Sequence, residues 1–209
     1  MGLVRTSRDT VVVRPPRNLV AARGASEWSS VLECWESASV GVRLGCVLAT
    51  AIALIASITG AIPIASGLAI ATLMPAVLTD TQLRRLPDVW IASAGIVLLV
   101  GVGVSWSTGS TSTSIAGLAA GALLMSVPIL LLHLASPASM GFGDVKLAIV
   151  LGAAVGALDW NLAIPALALA AGSTATVGVC TRARHIAFGP GLVAGALVAL
   201  LAQDLLTGS

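Results

Sequence analysis

Charged residues divide this chain into long apolar segments. No Asp, Glu, Lys or Arg lies between Arg43 and Asp80, or between Asp88 and Asp144. Because about 20 apolar residues are enough to cross the hydrocarbon core of a bilayer, uncharged segments of this length predict membrane-spanning helices. The pattern therefore predicts an all-α, polytopic membrane helix bundle built as a single domain.

The distribution of basic residues decides how many spans these segments contain. A single span over 44–78 would leave the N-terminal arginines and the pair Arg84-Arg85 on opposite sides of the membrane, against the positive-inside rule. Two spans put both basic segments in the cytoplasm, and alternation then gives about seven spans, within a range of six to eight. The predicted spans are 44–60, 61–78, 89–106, 115–134, 145–158, 162–180 and 189–206. This arrangement places the N-terminus and all eleven Lys and Arg residues on the cytoplasmic side.

Two details of the spans bear on how they pack. The span 145–158 is about 21 Å long as a helix, against a hydrocarbon core of about 30 Å, so either the helix starts before Asp144 or the membrane is thinner there. Glycines recur four residues apart, a spacing that allows close approach of neighbouring helices. These glycine pairs are Gly117/Gly121, Gly152/Gly156 and Gly191/Gly195.

Composition separates the N-terminal segment from the rest. The chain is 57% hydrophobic and only 10% charged, where a soluble domain averages about a quarter charged residues. Residues 1–43 carry six arginines and no apolar stretch long enough for a signal peptide, so we expect an uncleaved cytoplasmic segment before a transmembrane domain at 44–206. Trp28, Leu32 and Trp35 share one helical face there, which predicts a helix on the membrane surface. The three isolated cysteines predict neither a zinc site nor a disulfide framework.

Two short charged segments interrupt the apolar pattern, "TDTQLRRLPDVW" at 79–90 and "MGFGDVKL" at 140–147. Asp80 ends an inward-running span and Asp144 begins an outward-running one, so both are expected at the cytoplasmic edge and at a comparable depth. Packing of the second and fifth spans would bring them together. Asp88 has a structural explanation, since a carboxylate is favoured as a cap at the start of the third span.

A pair of carboxylates in one site suggests a reaction. Two such groups cannot both ionise easily, so one keeps its proton. The ionised carboxylate can then take a proton from water while the protonated one donates to a substrate carbonyl, which is the chemistry of aspartic proteases and uses no metal and no cofactor. Gly141 and Gly143 would allow a sharp backbone turn and the close approach of an extended peptide. His133 and His185 have no ligand partner at a suitable spacing.

The same segments resemble a known family. "GFGDVK" matches the GxGDxK signature of the type IV prepilin leader peptidases, a class of GxGD intramembrane aspartic peptidases, and "DTQLRRLPD" resembles the family's first aspartate segment. "IAFGPGLVAGAL" at 186–197 resembles its C-terminal "PFGP" element, with Ala187 where Pro is usual. The resemblance covers about 70–206.

The resemblance implies a function and a set of site residues. Members of the family remove a short basic leader from prepilins or pseudopilins at the cytoplasmic face of the cell membrane, typically just after a glycine. The implied dyad is Asp80 and Asp144, with Gly141, Gly143 and Lys146 in support. Lys146 would either orient and bias Asp144 or serve as a cytoplasmic topology anchor. The implied partners are precursor peptides and the lipid bilayer, and no nucleic acid.

One departure and two alternatives qualify this implication. Larger family members carry a cytoplasmic domain with two CxxC pairs and also methylate the new N-terminus. This chain has no such pair, which argues against the N-methyltransferase activity and favours a compact form. A non-enzymatic assembly factor or small transporter would use the two acids for helix pairing or proton coupling, and a degenerate peptidase would bind leaders without cutting them.

Overall fold

The chain folds into an assembly of apolar helices. In the computed structural model, the described residues are 27–83, 86–109, 114–136, 141–181, 187–203 and 205, and no strand occurs among them. The helices are α1 (Glu27–Ser37), α2 (Val40–Ile58), α3 (Ile64–Leu83), α4 (Asp88–Ser107), α5 (Ile115–Ala135), α6 (Phe142–Gly156), α7 (Ala163–Thr181) and α8 (Gly189–Leu201), with a short 3₁₀ turn at Trp160–Leu162 before α7. The all-α prediction is thus confirmed for the described residues.

Five of these helical segments are long and apolar enough to cross a membrane. They are Val40–Ile58, Ile64–Gln82, Asp88–Ser107, Ile115–Ala135 and Trp160–Cys180. The other two predicted spans correspond to α6, with 15 residues, and α8, with 13 residues, which are about 22 Å and about 20 Å long. The chain is therefore a multi-pass membrane protein, while the count of seven spans and the cytoplasmic N-terminus stay predictions. Helix α6 begins at Phe142, before Asp144, but it ends at Gly156, so the early start does not lengthen the short fifth span.

Burial separates central helices from peripheral ones. In α3, 67% of the apolar segment is buried inside the protein, against 17% in α2 and 22% in the segment that contains α7. The main core joins α3, α6 and α8 through fully buried side chains such as Leu73, Leu147 and Leu192. The outer helices expose apolar side chains such as Ile55 and Leu131, which is the pattern expected of faces in contact with lipid.

Glycines set the spacing of two helix pairs. On the α5–α6 interface, a Cβ atom on Gly121 would lie 2.8 Å from the Cα of Gly156, and one on Gly152 would lie 2.9 Å from the Cα of Ala122. On the α7–α8 interface, a Cβ on Gly195 would lie 2.8 Å from the Cα of Ala170. Real Cβ atoms do not approach other atoms this closely, so the backbones could not pack as they do with larger residues. The predicted role of the paired glycines in close helix packing is confirmed at these interfaces.

The N-terminal helix α1 packs on the central bundle with a face other than the one predicted to lie on the membrane surface. Val31, Cys34 and Ala38 are buried against Ala76 and Leu78 of α3 and Trp90 of α4. Two members of the predicted face are more exposed, Leu32 at 61% and Trp35 at 37%, and the side chain of Trp28 lies outside the described ones. The face that packs on the bundle is therefore rotated from the face predicted to contact the membrane. The location of α1 on the membrane surface stays a prediction.

The end of α1 is held by a cation, and the helix carries a buried thiol. Arg43 donates from Nε to the carbonyl oxygen of Ala38 at 2.9 Å and from Nη2 to that of Glu36, which satisfies carbonyls left free at the helix C-terminus.

Burial, reinforced by the negative charge of Glu33, raises the pKa of the Cys34 thiol above its ordinary value. A protonated, buried thiol behaves as a small apolar side chain.

The glycine interface between α5 and α6 leads to a stability prediction. We expect Gly152→Ala to lower the free energy of unfolding by about 1–3 kcal/mol, because the added methyl group forces the two backbones apart. Gly103→Ala is the matched control, since a Cβ at Gly103 in α4 meets nothing within 4 Å. It should be neutral or slightly stabilising, because alanine favours the helix by up to about 1 kcal/mol. Denaturant titration in micelles, followed by circular dichroism, measures both variants, and equal midpoints would contradict the prediction.

Candidate active site

Asp80 lies in the last turn of α3 and is buried, with 6% of its surface exposed. Its Oδ2 atom has no hydrogen-bond partner in the described part of the chain. A carboxylate at this end of its own helix faces the negative end of the helix dipole, so compensation must come from elsewhere. Arg84 and Arg85, the nearest cations along the chain, lie outside the described residues. The compensation that the structure does show comes from α8, where the backbone amide of Gly189 faces the Asp80 carboxylate.

Asp144 lies in the first turn of α6 and is also buried, with 8% of its surface exposed. Gly141 is the N-cap residue of this helix, and the amide of Asp144 donates to the Gly141 carbonyl oxygen at 3.1 Å. The carboxylate in turn reaches back to the Gly141 backbone amide, as an acidic residue three positions after an N-cap does in a capping box. The N-terminal end of α6 therefore favours negative charge on Asp144.

The two predicted carboxylates lie in the same site. Helices α3, α6 and α8 all pack against one another, and the charge of Asp80 acts directly on Asp144. Both acids are shielded from solvent, and this geometry is the one that the alternation of spans predicted. The structure thus joins a C-terminal helix end and two N-terminal helix ends around a pair of buried carboxyl groups.

The two supporting glycines have explanations other than the predicted sharp turn. Gly141 has an extended backbone (φ −74°, ψ 146°) that any residue can adopt, and a Cβ there would meet nothing closer than 3.9 Å. A Cβ on Gly143 would lie 3.0 Å from the Cβ of Leu86, so this glycine makes room for the segment that joins α3 to α4. Among the described glycines, positive φ angles occur at Gly60 and Gly109. Neither Gly141 nor Gly143 therefore has a backbone angle that requires glycine, and the close approach of an extended peptide stays a prediction.

Lys146 pairs with Asp88 rather than with Asp144. Its Nζ donates to both carboxylate oxygens of Asp88 at 2.8 Å, which links α6 to the first turn of α4. Its ammonium group also lies 5.5 Å from the centre of the Phe142 ring. The charged group that acts on Asp144 is Asp80, so the structure does not support a direct bias of Asp144 by the lysine.

The prediction that Asp88 caps α4 is wrong in detail. The N-cap residue is Pro87, which has no side chain able to cap, and Asp88 occupies the first turn of the helix. The helix dipole still favours a carboxylate at that position, but the carboxylate oxygens are used by Lys146. Asp88 therefore connects α4 to α6, and this connection cannot be inferred from the sequence of α4 alone.

Gly189 is a site residue that the sequence analysis missed. A Cβ built on it would lie 2.7 Å from Oδ2 of Asp80. The signal in the sequence was the "AFGP" segment at 187–190, which resembles the family's C-terminal element but in which no residue was assigned a role. His133 lies beside the ring of Phe142 at 5.8 Å between centroids, and His185 lies outside the described residues. Among the described residues, no group of three or more His, Cys, Asp or Glu side chains could hold a metal ion.

The Asp88–Lys146 pair leads to a prediction about helix coupling. Its side chains are 69% and 37% exposed, so water screens the attraction and the coupling free energy should be about 0.2–1 kcal/mol. A double-mutant cycle of Asp88→Asn and Lys146→Met, measured by chemical denaturation, gives this quantity. The coupling should fall in high salt, since the pair is solvent-accessible. A coupling of zero in low salt would mean that the pair does not hold α4 to α6.

Comparison with known proteins agrees with the site. The sequence model of the type IV leader peptidase family matches residues 67–180, more than half of the chain. The matched segment contains both aspartates and Lys146 and ends before α8. No curated protein and no solved structure matches the chain. The resemblance carried by the aspartate segments is therefore confirmed, and this multi-pass membrane protein is a peptidase that belongs to the type IV leader peptidase family.

Proposed function

We propose that this chain is an aspartic endopeptidase that removes the short basic leader from prepilin-like or pseudopilin precursors, with Asp80 and Asp144 as its catalytic dyad. The observation that carries the proposal is the pair of carboxyl groups on separate helices, 6% and 8% exposed, with the charge of one acting on the other. Family membership supports the peptidase activity. The precursor class and the cytoplasmic side of cleavage come from the sequence resemblance.

The burial of the dyad supports a division of labour between the two acids. Two like charges in a poorly solvated site are costly, so the pair holds one proton at the working pH. The ionised carboxylate removes a proton from a water molecule, whose oxygen attacks the carbonyl carbon of the scissile peptide bond. The protonated carboxyl group donates its proton to the carbonyl oxygen, which gives a neutral tetrahedral intermediate.

Collapse of this intermediate completes the reaction. The carbon–nitrogen bond breaks, the leaving amine takes a proton from the carboxyl group that removed it from water, and the hydroxyl proton of the intermediate returns to the other carboxylate. The products are the leader, with a new carboxyl terminus, and the mature chain, with a new amino terminus. The dyad is left with the one proton it held at the start.

An apolar cavity lined by chain neighbours of Asp80 and Gly189 supports a substrate with an apolar segment. It has a volume of about 250 Å³ and lies between α2, α3 and α8. Thr81 and Pro190, the chain neighbours of Asp80 and Gly189, line its end nearest the site, and Val77 and Val193 continue it along the helices. Apolar side chains of the substrate, next to the scissile bond, could bind in this cavity.

The dyad is tested by replacing each carboxylate with an isosteric amide. We expect Asp80→Asn and Asp144→Asn each to lower kcat by about 10²–10⁴-fold, because each removes one proton-transfer group. Asp159→Asn is the matched control. Asp159 caps the 3₁₀ turn by accepting from the amide of Asn161 at 2.9 Å, and asparagine can cap equally well.

The assay uses a synthetic precursor with a basic leader, a glycine and an apolar segment, incubated with the purified chain in micelles. Cleavage is followed by gel shift, and N-terminal sequencing of the product locates the cut. Circular dichroism verifies that each variant keeps its helices. Wild-type activity in either single variant would exclude the dyad, and binding of the precursor by the wild-type chain without cleavage would favour an assembly factor instead.

A further inference from the structure

A third helix, α8, approaches the aspartate pair at a glycine residue. Gly189 is the first residue of α8 and is buried. A Cβ atom on it would lie 2.7 Å from Oδ2 and 3.5 Å from Cγ of Asp80, and 3.5 Å from a methyl carbon of Leu147. The first of these distances is one that real Cβ atoms do not reach. Any side chain at position 189 would therefore push the Asp80 carboxylate out of its observed position.

The backbone of Gly189 contributes as well. Its amide faces the Asp80 carboxylate, although Oδ2 itself accepts no hydrogen bond in the described part of the chain. The next residue, Pro190, has no N–H, and the amide of Leu192 already donates to the carbonyl oxygen of Phe188 at 3.0 Å. The first turn of α8 therefore has few amides left, and the one from Gly189 is directed at Asp80.

The contact with Gly189 matters for the position of the Asp80 carboxylate because Asp80 is buried. Asp80 has only 6% of its surface exposed, and a buried oxygen atom without a hydrogen-bond partner is costly. Asp80 gets no help from the dipole of its own helix, because it lies near the C-terminal end of α3. The positive end of α8 supplies that help only if the carboxylate can approach the backbone closely.

We propose that Gly189 is a positioning residue of the peptidase, which fixes the place of the Asp80 carboxylate by leaving room for Oδ2 against the backbone of α8. This inference rests on the proposed role of the dyad. Gly189 lies outside the segment that matches the family model, which ends at residue 180.

The contact itself can be tested without any substrate. Because the atom nearest to the added methyl group belongs to Asp80, Gly189→Ala should lower the midpoint of thermal unfolding in the wild-type background and have no such effect in the Asp80→Ala background, where the carboxylate is gone. The four proteins of this cycle are compared in the same micelles. An equal loss in both backgrounds would overturn the inference, because the methyl group would then clash with something other than Asp80.

The positioning role is tested by kinetics on the synthetic precursor. Gly189→Ala should lower kcat by about 10²-fold, as a displacement of roughly 1 Å at a reacting group does, with KM unchanged within about threefold. Gly195→Ala is the matched control on the same helix. Its Cβ would lie 2.8 Å from the Cα of Ala170 in α7, so it should reduce the amount of folded protein and leave kcat per folded molecule unchanged.

The outcomes separate this inference from the proposed function. If the wild-type chain cleaves the precursor and Gly189→Ala retains its kcat, the positioning role is wrong while the peptidase assignment stands. If both glycine variants lose kcat equally, Gly189 has only a packing role and the inference also fails. If the wild-type chain does not cleave the precursor, the proposed function fails, and the unfolding cycle still decides whether Gly189 and Asp80 are in contact.

Discussion

The burial of two carboxyl groups in an apolar helix bundle is the constraint on which the rest of the site depends. A charged group removed from water costs several kcal/mol unless other groups compensate. Asp144 obtains compensation from the N-terminus of its own helix, where the Gly141 amide lies. Asp80 cannot, because it lies at the wrong end of α3, and it depends on the N-terminus of α8. The site therefore requires one C-terminal and two N-terminal helix ends at the same level of the bundle.

The order of the helices along the chain supplies these three ends. Successive antiparallel helices reverse direction at each connection, so the end of α3 lies on the same side as the starts of α6 and α8. The two short helices contribute to burial as well. With 15 and 13 residues, α6 and α8 are shorter than the bilayer core, while α2, α4 and α5 around them have 19 to 21 residues. A site at the start of short central helices is recessed among longer neighbours, which agrees with the low exposure of both aspartates.

The sequence predicted the helices and the meeting of the two aspartates because both follow from one-dimensional patterns. Uncharged segments of sufficient length define helices, and counting them defines which ends lie together. The sequence did not predict which face of α1 packs inward, because Val31 and Leu32 are both apolar and only the partner helix distinguishes them. The Asp88–Lys146 pair joins residues 58 positions apart, and such contacts depend on helix rotation, which hydropathy does not encode.

The role of Gly189 was not predicted, for a related reason. A glycine in a sequence does not reveal whether it serves a turn, a close contact or neither. Here the distinction lies in neighbouring atoms. Gly152, two turns after Asp144, is in contact with the backbone of α5, and Gly195, less than two turns after Gly189, is in contact with that of α7. Backbone contacts cannot relax as side chains do. At Gly189 the neighbouring atom is instead Oδ2 of Asp80, so the contact that positions the carboxylate is separate from the contacts that hold the helices together.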